Sequence, residues 1–164
     1  TILELAPTII GVIYAGKVGS SMASGLGTMR ISEQIDALEV MGINSTSYLV
    51  LPKLLGSLFM YPLLVILAGL LSIVGGFLAG QLTGVIFPTD YVFVIRFEFY
   101  PYIVTFAMIK SFVFAFLVAT ISSFKGYYTT GGAVEVGKAS TSAVTQSVIA
   151  ILTADYLLAQ LLLK

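Results

Sequence analysis

Residues 54–89 read LLGSLFMYPLLVILAGLLSIVGGFLAGQLTGVIFPT, and no charged side chain interrupts them. A helix needs about 20 apolar residues to cross the roughly 30 Å of hydrocarbon in a bilayer. A membrane β-strand would instead show segments of about ten residues in which apolar and polar positions alternate. Because this run is continuously apolar, it predicts a membrane-spanning α-helix.

The composition of the whole chain agrees with that prediction. Of its 164 residues, 58% are hydrophobic and 10% are charged, whereas a soluble domain is roughly 45–50% apolar and about 25% charged. The mean hydropathy of +1.03 excludes an ordinary soluble domain and also a disordered chain, which needs low hydrophobicity. The formal net charge is zero, so no basic surface points to nucleic acid.

Several kinds of chemistry are excluded by residue types. The sequence contains no Cys and no His, which removes disulfides, thiol nucleophiles and His-based acid–base catalysis, and no metal or cofactor is expected. Residues 11–18, GVIYAGKV, come within one residue of a phosphate-binding loop, but Val18 stands where that loop needs Ser or Thr and no strand precedes it. We therefore expect no enzyme activity in this chain, and any use of ATP must come from a partner.

Four apolar runs are long enough to cross a bilayer. The predicted fold class is all-α, a polytopic membrane helical bundle in a single domain over residues 1–164. The chain begins with Thr1 and opens directly on an apolar run, which we interpret as an N-terminal truncation. The predicted spans cover residues of about 2–24, 48–85, 102–124 and 143–163, with short helices at about 31–42 and 87–100.

The second run leaves two topologies open. It is too long for one perpendicular crossing and short for two, so it forms either one long helix or a hairpin broken at Gly75-Gly76. The Lys and Arg bias of the loops favours one crossing, with residues 24–53 and 125–142 in the cytoplasm. Counting the terminal Lys164 makes the two topologies equal. The other basic residues in the count are Arg30, Lys53, Arg96, Lys125 and Lys138.

Small residues recur every four positions along three of the spans. This spacing lets helices approach closely in lipid, where the hydrophobic effect does not drive helices together. Three such stripes exceed what one small bundle needs, so we expect one to face a second copy. The stripes are Gly11, Ala15, Gly19, Ala23 and Gly27, then Ser72, Gly76, Gly80 and Gly84, then Ser111, Ala115, Ala119 and Ser123.

Ionisable residues inside the spans are candidates for function. Such groups are costly in lipid and need a partner. Lys110 and Asp155 each lie about eight residues from the outer ends of consecutive spans, so antiparallel packing puts them at the same depth. We predict an ion pair between Lys110 and Asp155, either as a structural tie or with a part in substrate movement. Lys17 is the third such residue.

Residues 27–42, GTMRISEQIDALEVMG, predict a short amphipathic helix. Ser32 is placed to cap its start and Gly42 to end it. Helices that lie on membranes favour Lys and Arg on their polar face, so an acidic face indicates a protein partner. The apolar stripe is Ile31, Ile35, Leu38 and Met41, and the acidic stripe is Glu33, Asp36 and Glu39.

With these residues in view, the chain resembles the MlaE-type permease family, the membrane subunits of ABC transporters for phospholipids. The resemblance covers essentially the whole chain, and the block around residues 33–36 is its most specific part. Lys17 departs from the Arg of many members, which keeps the charge and loses the bidentate fork. The matching segments are ELAP at 4–7, AGKVGS at 15–20, GTMR at 27–30, EQIDAL at 33–38, YLVLPK at 48–53, GY at 126–127 and DY at 155–156.

The resemblance implies a homodimeric permease in a bacterial inner membrane, favoured over a plastid inner envelope. Its implied partners are two cytoplasmic ATPase subunits, MCE-domain lipid-binding subunits on the outer side, and a phospholipid substrate. It implies that residues 54–89 belong to one helix, and that Glu4 and Lys17 line a lipid cavity between the two copies. The implied ATPase contacts are Arg30, Glu33, Gln34, Asp36, Leu38, Glu39 and Met41.

Two other classes of protein remain as alternatives. An ion-coupled secondary transporter often contains internal repeats and broken helices; Gly75-Gly76 is a possible break, but no repeat is visible. A structural membrane subunit would share the spans and differ only in needing no ATPase. ATP-dependent lipid transfer separates the three classes.

Overall fold

The structure is a computed structural model that describes residues 4–164, and every regular element in that range is a helix. The all-α prediction is therefore confirmed, and four of the helices are long and apolar enough to cross a membrane. The predicted start of the first span, at residue 2, lies outside the described residues. In chain order the helices are α1 Leu5–Ile31, α2 Gln34–Val40, α3 Thr46–Thr83, α4 Pro88–Phe97, α5 Pro101–Tyr127 and α6 Ala133–Leu162.

Helix α1 presents its small-residue stripe to the rest of the bundle. All five members of the stripe, from Gly11 to Gly27, are buried. A β-carbon at Gly19 would lie 2.8 Å from the Ser122 hydroxyl of α5, and one at Gly27 would lie 3.2 Å from Val136 of α6. The stripe therefore packs within the chain. A π-helical segment, Ala15–Gly19, lies inside α1.

Helix α5 is the central element, because α1, α3 and α6 all pack against it. Its small-residue stripe, Ser111 to Ser123, is buried as well. Larger side chains alternate with the small ones and fill the spaces between helices. The core contains Tyr14 and Ala15 from α1, Tyr61 and Val65 from α3, Phe114, Ala115 and Val118 from α5, and Ile151 from α6.

Helix α3 is one 38-residue helix, and it passes through Gly75 and Gly76 without a break. The structure thus has the long single helix, and not the hairpin broken at Gly75-Gly76. The small-residue stripe of α3 is mostly exposed: Gly80 packs on Ile86, whereas Ser72 and Gly84 face outward. Helix α4 folds back on this part of α3, where the Tyr91 hydroxyl donates to the Ile73 carbonyl at 2.8 Å.

Several predicted boundaries are wrong, because helices continue past the end of apolar sequence. Helix α1 reaches Ile31 rather than residue 24, and α6 begins at Ala133 rather than residue 143. In both extensions threonine hydroxyls bond back to the carbonyl four residues earlier, as Thr28 does to Ser24 at 2.8 Å. Polar residues of this kind lower the hydropathy of a helix without ending it.

The expected N-cap of the short helix is also wrong. Ser32 bonds back to the Thr28 carbonyl at 2.7 Å and so closes the end of α1. Glu33 precedes α2 in a left-handed conformation with φ of 62°, and its side chain caps nothing. The helix is shorter than the predicted range of residues 31–42, because this break replaces its first turn.

Candidate functional site

A buried ionic cluster joins three helices. The side chain of Lys110 on α5 is fully buried, and its ammonium lies 2.9 Å from Glu4 Oε2 and in contact with Asp155 Oδ1 of α6. The Thr8 hydroxyl of α1 donates to the same Asp155 oxygen at 3.3 Å. The structure thus brings Lys110 and Asp155 together, and one lysine ties α1 and α6 to α5.

The Phe106 ring supports the cluster from one side, with its centroid 5.0 Å from the Lys110 ammonium. The two acids are less enclosed than the lysine, because 45% of the Glu4 side chain and 21% of the Asp155 side chain are exposed. Solvent or a ligand can therefore reach the carboxylates of Glu4 and Asp155. Its cation is held inside the protein.

Glu4 has a partner that its family resemblance does not imply. The resemblance assigns Glu4 to a cavity between two copies, and this assignment stays a prediction. In the structure the Glu4 carboxylate contacts the Lys110 ammonium. Sequence reasoning missed this contact, and also that of Thr8. The sequence signal that could have predicted the contact is the position of Glu4 along the membrane normal. Glu4 directly precedes α1, at the same end of the bundle at which α5 begins and α6 ends.

An apolar cavity of about 280 Å³ lies beside the cluster. Ala6 of α1 and Ala107 of α5 line it, and each lies within one helical turn of a cluster residue. Its volume is close to the lower limit for ligand pockets, which measure roughly 300–1,000 Å³. The remaining wall is hydrophobic and comes mainly from α3: Val65, Ile66, Gly69, Leu70 and Ile73, with Phe99, Val104 and Met108.

The opposite end of the bundle carries α2 and a second polar network. Arg30, near the end of α1, donates from Nε to the Tyr127 carbonyl at 2.7 Å and from Nη1 to Asp36 at 3.1 Å. Its guanidinium also lies 4.5 Å from the centroid of the Tyr127 ring. Ser45 Oγ is 3.0 Å from a Glu39 carboxylate oxygen and 2.7 Å from the Tyr127 hydroxyl.

Two of the three acids predicted to form a docking face therefore also bind within the chain. Asp36 pairs with Arg30, and Glu39 accepts hydrogen bonds from Ser45 and, at 3.3 Å, from Tyr127. Glu33 is exposed and makes no side-chain contact of this kind among residues 4–164. The resemblance includes Tyr127 in its GY segment but implied no contact for it, and Tyr127 is separated from Arg30 by 97 positions.

The other predicted contact residues of α2 divide by exposure. Ile35 is fully buried, and Leu38 is half-buried. Gln34 is exposed, as is Met41 at 66%, and Val40, which was not among the predicted contacts, is 88% exposed. The free surface of α2 is therefore apolar at its C-terminal end.

Lys17 joins neither network and is exposed on α1 within the π-helical segment. Segments of π-helix are frequent at functional sites. Among residues 4–164 there is no group of three metal-ligating side chains.

These features define a class of protein: a polytopic helical membrane protein with a buried ionic cluster in its spans and a short helix exposed at one end. The model of the family described as Permease MlaE matches residues 1–161. The chain belongs to the MlaE permease family.

Named relatives agree with this assignment. A probable ABC transporter permease protein from Rickettsia bellii is 38% identical, over 98% of this chain and 62% of the relative. One from Synechocystis is 35% identical, over 98% of this chain and 61% of the relative. The chloroplast protein TRIGALACTOSYLDIACYLGLYCEROL 1 of Arabidopsis thaliana is 35% identical, over 94% of this chain and 44% of its own length. The chain thus spans about six-tenths of the bacterial relatives that it matches.

Proposed function

We propose that this chain forms the core of a membrane permease subunit of an ABC transporter, which moves phospholipids between membranes and is driven by separate ATPase subunits. Membership of the MlaE permease family over residues 1–161 carries the proposal. The fold supports it, because four helices are long and apolar enough to cross a membrane.

The cluster of Lys110, Glu4 and Asp155 suits an amphipathic substrate. It presents partly exposed carboxylates next to an apolar cavity of about 280 Å³. The apolar wall along α3 suits an acyl chain, and the carboxylates suit a hydroxyl or ammonium group of the head rather than its phosphate. The name of the Arabidopsis relative contains a galactosyl diacylglycerol, a lipid that shares the diacylglycerol part of a phospholipid but not its phosphate.

The end of the bundle that carries α2 is the proposed cytoplasmic end. Arg30, Lys53, Lys125 and Lys138 all belong to that end, and cytoplasmic loops carry an excess of Lys and Arg. Helix α2 is then the coupling helix that meets an ATPase, through Glu33, Gln34 and the exposed side chains of Val40 and Met41. The proposed location is a bacterial inner membrane.

A second copy of the chain and outer-side MCE-domain subunits complete the proposed assembly. Lys17 is exposed on α1 although it lies well inside that spanning helix. Exposing a charged lysine to lipid at this position costs free energy, and charged residues in spans almost always face a bundle interior or a water-filled cavity. This favours a cavity between two copies, as does the exposed small-residue stripe of α3.

The ATPase contact can be tested on two exposed side chains that take no part in the polar network. We expect V40D and M41D to abolish co-purification of the ATPase from the host membrane while the permease stays inserted, because each puts a charge on an apolar contact. Val134, 71% exposed at the start of α6, provides the matched control V134D. Retention of the ATPase by both α2 variants would contradict the assignment of α2.

Transport itself is tested in proteoliposomes that contain the permease and its ATPase, with a fluorescent phospholipid as the reporter. The expected result is transfer that requires ATP hydrolysis. The ion-coupled alternative rests on one observation: Lys110 and Asp155 form an ion pair inside spanning helices, and such groups occur in proton relays. Transfer that follows a proton or sodium gradient without ATP would favour that alternative, and no transfer under either condition would favour a structural subunit.

A further inference from the structure

We propose that Tyr127 is a positioning residue that fixes α2 to the end of α5, so that the two helices move as one unit. The contacts that do this are those of Arg30, Asp36, Glu39, Ser45 and Tyr127, which we call the Tyr127 anchor. The inference rests on the proposed function, since it describes how motion of the coupling helix reaches the membrane-spanning helices.

Helix α2 needs an anchor because its own structure does not hold it in place. It has only seven residues, and isolated helices shorter than about 12 residues are marginal in water. The turn at Ser32 and Glu33 separates it from α1, with Glu33 at a φ of 62°. Apolar packing is provided mainly by Ile35, the one fully buried residue of α2.

The Tyr127 anchor holds α2 at both of its ends. Asp36 in the first turn pairs with Arg30 at 3.1 Å, and Arg30 donates to the Tyr127 carbonyl at 2.7 Å. Glu39, near the last turn, accepts from the Tyr127 hydroxyl at 3.3 Å and from Ser45 at 3.0 Å. Hydrogen bonds with a charged partner are roughly twice as strong as neutral ones. Tyr127 of α5 is thus linked to both ends of α2, directly to Glu39 and through Arg30 to Asp36.

Helix α5 can carry a displacement from the anchor to the buried ionic cluster. Tyr127 is the last residue of α5 and Lys110 lies on the same unbroken helix, about 25 Å away at 1.5 Å per residue. Since Lys110 contacts acids beside α1 and on α6, a shift of α5 alters the cluster. Ser45 also directly precedes α3, so the anchor touches that helix as well.

Y127F removes only the hydroxyl of this residue. The ring remains beside the Arg30 guanidinium, and the backbone carbonyl still accepts from Nε. The substitution abolishes the hydrogen bond that the hydroxyl donates to Glu39, together with its 2.7 Å contact with Ser45 Oγ. The neighbouring Tyr128, 64% exposed, provides the matched control Y128F because its hydroxyl has no part in the anchor.

The first measurement is the distance between α2 and α5. The chain contains no cysteine, so V40C with T120C places two spin labels at exposed sites outside the anchor. Double electron–electron resonance on labelled protein diluted with an excess of unlabelled protein, so that distances between copies do not contribute, should give one narrow distance distribution for the parent and for Y128F. In Y127F the fraction of molecules in a second, broader component of the distribution should rise about fivefold or more. This is the population change expected for the loss of one ordinary hydrogen bond. E39A should resemble Y127F, whereas E39Q keeps an acceptor oxygen and should stay close to the parent.

The second measurement is coupling, read as ATP hydrolysed per lipid moved in proteoliposomes with the ATPase. Y127F should raise this ratio several-fold while the ATPase stays bound, and Y128F should leave it unchanged. A merely structural tyrosine would instead lower ATPase binding or the yield of folded protein.

Three outcomes decide the matter. An unchanged distance distribution in Y127F overturns the inference, and so does a broadened one with unchanged coupling. If the parent binds no ATPase, the proposed function fails by itself. The distance distributions then decide alone whether the anchor fixes α2 to α5.

Discussion

The buried ionic cluster predicts an asymmetry among its members. Lys110 is fully buried and faces two carboxylates, whereas each carboxylate faces one lysine. Breaking a buried ion pair by removing one partner typically costs about 3–5 kcal/mol. Because the acids left by K110A are 45% and 21% exposed, water relieves part of the penalty. We expect K110A to lower the free energy of unfolding by about 3 kcal/mol, at the low end of that range.

Loss of a single acid should cost less, because the other acid still holds Lys110. In D155A the contact of Lys110 with Glu4 Oε2 at 2.9 Å remains, and a loss of about 1.5–3 kcal/mol is expected for one charged hydrogen bond. E4A with D155A removes both carboxylates from the buried ammonium. The double variant should therefore lose more than the sum of the single ones, by roughly 0.5–3 kcal/mol.

Reversible unfolding in mixed micelles, with SDS titration followed by circular dichroism, measures these differences. K138A is the matched control, since Lys138 is 70% exposed and pairs with Glu135 three residues earlier, a contact worth about 0.5 kcal/mol or less. The swap K110D with D155K should recover only part of the unfolding free energy that K110A loses, because Glu4 then faces the carboxylate at position 110. The reasoning is refuted if D155A costs more than K110A, or if the two acid variants are additive.

Further predictions concern close packing and one hydrogen bond. G126A should lower the free energy of unfolding by about 1–3 kcal/mol, because its β-carbon would lie 2.5 Å from a backbone carbonyl of α1; G137A, with nothing within 4 Å, should be neutral or stabilising in the same SDS titration. Y61F should cost about 1 kcal/mol, since the buried Tyr61 hydroxyl donates to the Pro7 carbonyl, while Y100F at a 63% exposed site should change nothing. Equal unfolding free energies for either variant and its control would contradict the corresponding argument.

The sequence alone predicted the membrane-spanning helices and the face of α1 that packs against other helices. Apolar runs are a direct consequence of crossing hydrocarbon, and the four-residue spacing from Gly11 to Gly27 follows from helix geometry. Hydropathy could not locate the ends of α1 and α6, because their last and first turns are rich in Gly, Ser and Thr. These turns stay helical through backbone and hydroxyl bonds that hydropathy does not measure.

The two polar networks differ in how much of them the sequence reveals. The contact of Lys110 with Asp155 follows from counting residues along antiparallel neighbours, since charges in spans are few and their depths can be compared. The Tyr127 anchor has no such signal. Tyr127 is one of nine tyrosines, and its contacts with Arg30 and Ser45 depend on how loops close at one end of the bundle.

The ionic cluster also constrains how the protein is made. Glu4 leaves the ribosome roughly a hundred residues before Lys110, which is about 5–20 s at normal rates of synthesis, and Asp155 follows later still. Until then Lys110 and Asp155 enter the bilayer without their charged neighbours, and a charge inside a spanning helix is costly in lipid. We therefore expect the contact between Glu4 and Lys110 to form only after α5 has inserted, and the contact between Lys110 and Asp155 only after α6 has. Helix α6 therefore completes the environment of α1, although it is synthesised after α1.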